Sequence, residues 1–163
     1  MARKLTERPR PSGLLRLALR APIPLYRWHL GWLLGERFLL LGHRGAKTGL
    51  PRKTLLEVVH RDPESGSITV AAGFGSKSHW FRNLEMSPNA TVQVGTRRFG
   101  VRAEFLDEET AGDIMAGYAR RNPRAARTLM RFCGFEVDGS EADYREVAQL
   151  GLRFVRLKPR ASD

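Results

Sequence analysis

Leu39-Leu40-Leu41-Gly42-His43-Arg44-Gly45-Ala46-Lys47-Thr48-Gly49-Leu50-Pro51-Arg52 is the stretch on which the fold turns. The apolar run Phe38–Leu41 is too short for a helix and ends at a glycine, which reads as a short buried strand. Gly42–Pro51 is a glycine-punctuated turn, and Arg52–His60 is the strand that returns from it. The same grammar repeats downstream. Asp62–Gly66 is a second turn, Ser67–Ala72 a third strand, and Thr91–Val94 with Arg97–Phe105 a hairpin around Gly95-Thr96. In its second arm Phe99, Val101, Ala103 and Phe105 alternate with Arg98, Arg102 and Glu104, so one face is expected inside and the other in water.

Helical periodicity fills the remainder. A helix over His79–Met86 follows the Gly73–Ser78 loop and stops before Pro88. Asp107 caps a helix with Ala111, Ile114, Met115 and Tyr118 on one face. Asn122-Pro123 opens another, with Ala126, Leu129, Met130 and Cys133 inward and Gly134 as its stop. Ser140 with Asp143 resembles a capping box for a third helix, and Leu152–Leu157 is a closing strand. Sequential strands joined by short turns, with helices gathered late, predict an α+β fold: a small, mostly antiparallel barrel with peripheral helices.

Upstream, Met1–Pro11 is a basic tail expected to fray. Helices are expected over Gly13–Arg20 and Leu25–Leu34, the latter with Leu25, Trp28 and Trp32 on one stripe. The organisation is therefore a basic amphipathic arm, 1–36, on one barrel domain, 37–163. A stripe of this kind most often packs into a core; its other uses are a substrate lid or weak contact with an anionic membrane surface through 13–34.

The 163 residues suffice for one domain with a sizeable core, and 42% hydrophobic content is that of a globular chain. One cysteine, Cys133, allows no internal disulfide, and the four histidines are scattered, so no metal is expected. The net charge of +11 suggests nucleic acid until it is located. Residues 1–53 hold twelve Lys/Arg against two acids, and residues 54–163 hold sixteen against fifteen. The excess sits in the arm and one turn, with no recognition helix or RNA-binding aromatic signature, so no nucleic-acid partner is expected. No apolar run reaches the roughly 20 residues of a membrane span, and Arg16, Arg20 and Arg27 interrupt any signal-peptide core. A cytoplasmic location follows, with peripheral contact at the inner membrane face if the arm binds lipid.

Two constellations carry chemistry. In the first, glycines at 42, 45 and 49 let backbone N–H groups approach a ligand, and Arg44, Lys47 and Arg52 supply charge-assisted bonds to phosphate or carboxylate. The same residues would serve equally as an ordinary turn with solvated cations. In the second, Gly73-Phe74-Gly75-Ser76-Lys77-Ser78-His79-Trp80 leads into a helix whose N-terminus suits an anion, with Ser78 as its cap. Trp80 could face a flat ring system or pack with Leu84 in the core.

Together these stretches resemble the deazaflavin-dependent nitroreductase family of split β-barrel oxidoreductases. The residues that carry the likeness are Gly45-Ala46-Lys47-Thr48-Gly49-Leu50-Pro51-Arg52, Trp80-Phe81-Arg82-Asn83-Leu84-Glu85-Met86-Ser87-Pro88 and Val92-Gln93-Val94-Gly95, in order and register across Phe38–Phe105. Val155-Arg156-Leu157-Lys158-Pro159 closes the pattern. The resemblance implies coenzyme F420, an 8-hydroxy-5-deazaflavin with a phospholactyl-oligoglutamate tail, and hydride transfer to a quinone, nitro compound or activated enone. It implies that Lys47, Thr48 and Arg52 meet the tail, with Ala46 and Thr54 also in the cofactor site. Leu55, Ala71, Gly73, Ser76, Lys77, Ser78, His79, Trp80 and Asn83 would complete the cofactor site.

Three departures stand out. Ala46 occupies a position where many members have arginine, and the Gly73–Ser78 loop is shorter than in the best-known branch. Glu57 stands where that branch has a tyrosine near the substrate, which makes Glu57 the candidate substrate-proximal residue. The alternatives are a split barrel using FMN or haem, and a non-catalytic carrier of cofactor or lipid. FMN is the weaker candidate, because it needs fewer cations than a polyanionic tail. Whether the chain is a monomer or a homodimer is left open.

Overall fold

The structure, a computed structural model, describes residues 1–4, 37–72 and 78–161. The expected helices of the arm, with Trp28 and Trp32, lie outside the described residues, as do Gly73, Ser76 and Lys77. The described elements are β1 (Arg3–Lys4), β2 (Phe38–Arg44), β3 (Pro51–Arg61), β4 (Ile68–Ala72), α1 (His79–Met86), β5 (Asn89–Val94) and β6 (Arg97–Phe105). They continue with α2 (Glu108–Arg121), α3 (Pro123–Phe132), β7 (Phe135–Glu136), α4 (Glu141–Gln149) and β8 (Arg153–Pro159).

Six strands close an antiparallel barrel in the order β2-β3-β4-β8-β6-β5, with β5 returning to β2. Closure removes the free edges that a small sheet would otherwise expose. Alternation decides what fills it. Leu39 and Leu41 of β2 pair with Leu56 and Thr54 of β3. With Val58, Ile68, Val70, Val92, Val101, Val155 and Leu157, the three leucines form the interior, to which α1 adds Trp80, Phe81 and Leu84. The opposite face of β3, β4 and β8 offers Val59, Ala71 and Phe154 to a second core built by α2, α3 and α4. The expected α+β barrel with peripheral helices is the observed fold.

Several details depart from the expectation. β2 runs on to Arg44 and β3 begins at Pro51, so the turn is only Gly45–Leu50. Gly42 therefore lies inside a strand, where a Cβ would stand 2.5 Å from the hydroxyl of Thr91 on β5; its smallness serves a close strand contact. Phe105 is 40% exposed, because it leaves the barrel at the end of β6, yet its ring packs edge-on against Phe81 at 5.0 Å. The first four residues do not fray. Arg3–Lys4 pairs with Phe135–Glu136, Ala2 is buried in the helical core, and Arg3 meets Glu136 at 2.6 Å.

Two of the expected caps are altered. Ser140 accepts from the Asp143 amide, but the Asp143 carboxylate turns to the amide of Asp138 instead of closing the box. Ser78 occupies the N-cap of α1 in extended conformation, and its side chain makes no cap bond. Asp107 caps α2 through Thr110 N at 2.7 Å, as its position predicts. Among the described residues no helix is long and apolar enough to cross a membrane, and no group of three or more His, Cys, Asp or Glu could hold a metal.

Candidate functional site

The β2–β3 turn is closed by its own backbone: Gly45 N donates to Leu50 O and Gly49 N to Gly45 O, at 2.9 and 2.8 Å. A partly buried polar relay ties it to α1. Ala46 N donates to Asn83 Oδ1 at 2.8 Å, Asn83 Nδ2 reaches His43 Nδ1 at 2.9 Å, and His43 Nε2 lies 3.0 Å from Thr54 Oγ1. An amide nitrogen can only donate, so His43 Nδ1 accepts and the ring proton sits on Nε2, pointing at Thr54. Burial first, and the charge of Arg52 second, hold the His43 pKa below its ordinary value. The neutral imidazole that this hydrogen-bond pattern demands is thus also the one its surroundings favour.

The relay fixes the turn against α1. Lys47, Thr48 and Arg52 are exposed beside it, and Lys47 and Arg52 make no ion pair among the described residues. The amides of Lys47 and Thr48 likewise find no partner there. Across from the turn stands the N-terminus of α1, where His79 is exposed. There the hydroxyl of Ser78 is buried and has no partner among the described residues. A buried hydroxyl without a partner costs on the order of 1–3 kcal/mol, a cost that a ligand acceptor would relieve. Two cations, free amides, an unpartnered hydroxyl and a helix N-terminus make a donor set for an anion.

Other expected site residues are placed differently. Trp80 is buried in the barrel core, edge-on to Phe81, with no exposed face for a ring system. Asn83 spends its amide on Ala46 and His43. Thr54 is half-buried and partners His43. Leu55 and Ala71 are half-buried on the outer face of β3 and β4, opposite the barrel interior.

Glu57 also lies on that outer face, and it is not a lone carboxylate. Its Oε1 accepts from Arg37 Nε and Nη2, both at 3.1 Å, and from the Tyr118 hydroxyl at 2.8 Å. Burial, then the Glu57 carboxylate, push the Tyr118 phenol well above its ordinary pKa, so it keeps its proton. Beside this cluster opens a cavity of about 580 Å³, reached by Arg37, Tyr118, Val59, His60 and Arg121. A β-bulge between Val58 and His60 sets its wall.

Two features escaped sequence reading. The relay had a signal: Asn83 falls on the same helical stripe as Trp80 and Leu84, and a buried amide on an apolar face needs partners. The Tyr118–Glu57 bond had none, because it joins residues 61 apart in the chain.

The fold and this site together define a split-barrel protein with a cation-bearing turn set against a helix N-terminus. Residues 29–129 match the model of the F420H(2)-dependent quinone reductase family, and the chain belongs to that family. Over 67 residues it is 40% identical to an F420H(2)-dependent quinone reductase of Mycobacterium tuberculosis. That match covers 40% of this chain and 44% of the relative, so the chain spans less than half the length of the curated relatives it matches. A solved F420-H2 dependent reductase, FDR-A, superposes with a TM-score of 0.51 at 19% identity, covering 76% of this chain and 96% of that one. A conserved hypothetical protein of Mycobacterium tuberculosis, Rv2991, gives 0.54 at 18% identity, covering 80% and 77%. These two likenesses show the split-barrel fold alone. The family's reductant makes coenzyme F420 the group against which the site is to be tested, and the donor set above suits its anionic tail.

Proposed function

We propose that this protein is a reductase that takes reduced coenzyme F420 and passes its hydride to a quinone-type acceptor. The observation that carries the reading is the relay from Thr54 through His43 and Asn83 to Ala46, which holds the cation-bearing turn rigidly against the start of α1. Lys47, Thr48 and Arg52 would bind the phosphate and glutamates of the tail, and Ser78 and His79 would meet it from the helix. Half-buried Leu55 offers an apolar contact for the ring system. When bound, the reduced deazaflavin supplies the hydride, so the chain needs to provide placement and exclusion of water, not a nucleophile or an acid–base pair.

On the acceptor side, Glu57 is a positioning group. It holds the Tyr118 hydroxyl in one orientation, and Arg37 offsets its charge, so it opposes negative charge developing on an acceptor less than a bare carboxylate would. The neighbouring 580 Å³ cavity is within the size range of small-molecule sites. Nitro compounds and activated enones are secondary acceptors in this reading. Weak contact of residues 13–34 with anionic membrane rests on their Arg, Leu and Trp content alone.

Absorbance titration of the purified protein with coenzyme F420, in competition with FMN, followed by turnover with a naphthoquinone, tests the proposal. Preferred binding of F420 with quinone-dependent oxidation is expected. Equal or tighter binding of FMN would overturn the cofactor assignment, and binding without turnover of any acceptor would make the protein a carrier.

A further inference from the structure

On the far side of the helical layer, α3 runs Pro123-Arg124-Ala125-Ala126-Arg127-Thr128-Leu129-Met130-Arg131-Phe132. Ala126 and Met130 are buried, and Arg124, Arg127 and Arg131 lie along the exposed side. Those positions are three, four and seven apart, so the guanidiniums share one face, and like charges at such spacings disfavour the helix. Nothing on α3 offsets them, since it has no acidic residue. Arg124 and Arg131 make no ion pair among the described residues.

The three arginines open onto a cleft of about 400 Å³ whose other walls include Thr128, Gly139 and Tyr144, with no carboxylate among its lining. One cation is held in place by the backbone. Arg127 Nη2 donates to Asp138 O at 3.2 Å and lies where a Cβ on Gly139 would come within 2.4 Å of it. Gly139 has φ +92°, a conformation that favours glycine, so this residue both makes the turn and leaves the space the guanidinium occupies. Asp138, whose carbonyl accepts from Arg127, has its carboxylate bonded by the Ser140 amide. Tyr144, buried, forms the floor.

We propose that this cleft is a second anion site, distinct from the β2–β3 turn, that takes a phosphate or pyrophosphate group through Arg124, Arg127 and Arg131. Arginine forks match phosphate oxygens in pairs, and a guanidinium already oriented loses less freedom on binding. The group could arrive on a soluble phosphate ester or on a lipid headgroup, and Phe132, 57% exposed at the end of the same helix, lies where the second source would need an apolar contact.

The test uses full-length protein carrying Lys47→Ala and Arg52→Ala, so that the turn no longer competes for anions. Thermal stability is followed against inorganic pyrophosphate at fixed ionic strength, with sodium chloride as control. A saturable rise in Tm is expected, and adding Arg124→Gln with Arg131→Gln should weaken it roughly tenfold or more, the scale of lost charge-assisted bonds. The double change leaves Arg127 packed on Gly139, and unliganded Tm verifies folding. In a second arm, sedimentation with phosphatidic acid vesicles is compared between the same two proteins. A loss confined to vesicles assigns the headgroup source, and a loss confined to pyrophosphate assigns the soluble one. The proposal fails if neither ligand gives a saturable response, or if the double change leaves both responses intact.

Discussion

Two polar clusters hang on the same strand, β3, and they are built on opposite principles. Toward the turn, Thr54, His43, Asn83 and the Ala46 amide form a neutral chain in which each buried group has a partner. Farther along, Glu57, Arg37 and Tyr118 form a charged cluster, with the Arg37 side chain 59% exposed. Buried neutral networks are expensive to break, because the groups left behind lose both water and partner. Partly exposed ion pairs are screened, and removing one member costs little. The first cluster therefore holds geometry, and the second adjusts the electrostatics of a surface.

Asn83→Leu gives the sharpest test of that difference. It strands the Ala46 amide and His43 Nδ1 together, so a loss of about 2–5 kcal/mol in denaturant unfolding is expected. Cofactor affinity should fall as well, since the turn loses its tether. A loss below about 1 kcal/mol would reduce the relay to an incidental contact.

Lys47→Ala and Arg52→Ala come next. Each is expected to weaken coenzyme F420 binding by about 1–3 kcal/mol while leaving the unfolding midpoint near that of wild type, because both are exposed turn cations. Fluorescence quenching reads the first effect and chemical denaturation the second. Wild-type affinity in both variants would return Gly45–Leu50 to a plain hairpin turn.

At the charged cluster the effects should be smaller. Tyr118→Phe removes one hydrogen bond to a carboxylate, about 1–2 kcal/mol. Glu57→Gln keeps an acceptor for the tyrosine and loses an ion pair that is open to solvent on the Arg37 side, so less than about 1 kcal/mol is expected. If Glu57→Gln costs more than Asn83→Leu, the ranking of the two clusters is reversed.

The smallest effect concerns pH. His43 has a folded pKa below the ordinary 6.5, so the unfolded chain binds a proton that the folded one resists. Stability is then fully present above about pH 6.5 and declines as pH falls toward the folded value. His60, lowered by burial and by Arg121 and Arg156, adds to the same trend. His43→Gln should flatten part of the slope in a series of Tm measurements from pH 7.5 to 5. A slope unchanged by that substitution would assign the whole trend to His60 and the carboxylates.

Much of this molecule was legible in one dimension. Strand alternation placed Phe99, Val101 and Ala103 inside, and turn glycines and prolines set the boundaries to within a few residues. The cation-bearing turn and the helix from His79 were visible because local chemistry writes them into adjacent residues. The errors have physical causes of the same kind throughout. Gly42 read as a turn glycine, because nothing near it in sequence announces Thr91 across the β2–β5 contact. Trp80 read two ways, as a ligand face or as core, because a helical stripe does not say whether its far side is solvent or a barrel; it packs in the barrel core. The first residues read as a loose tail, because only the folded chain brings Glu136 beside Arg3.

Residue type and spacing thus determined the elements, the barrel and the cation-bearing turn, all of which depend on interactions within a few residues. The tertiary structure alone decided which polar groups are spent and which remain free. Asn83 is consumed by the relay, Glu57 is paired with Arg37 and accepts from Tyr118, and Ser78 is buried without a partner among the described residues. A hydrogen bond is settled by what lies within about 3 Å, and closure of the barrel, not order along the chain, selects those neighbours.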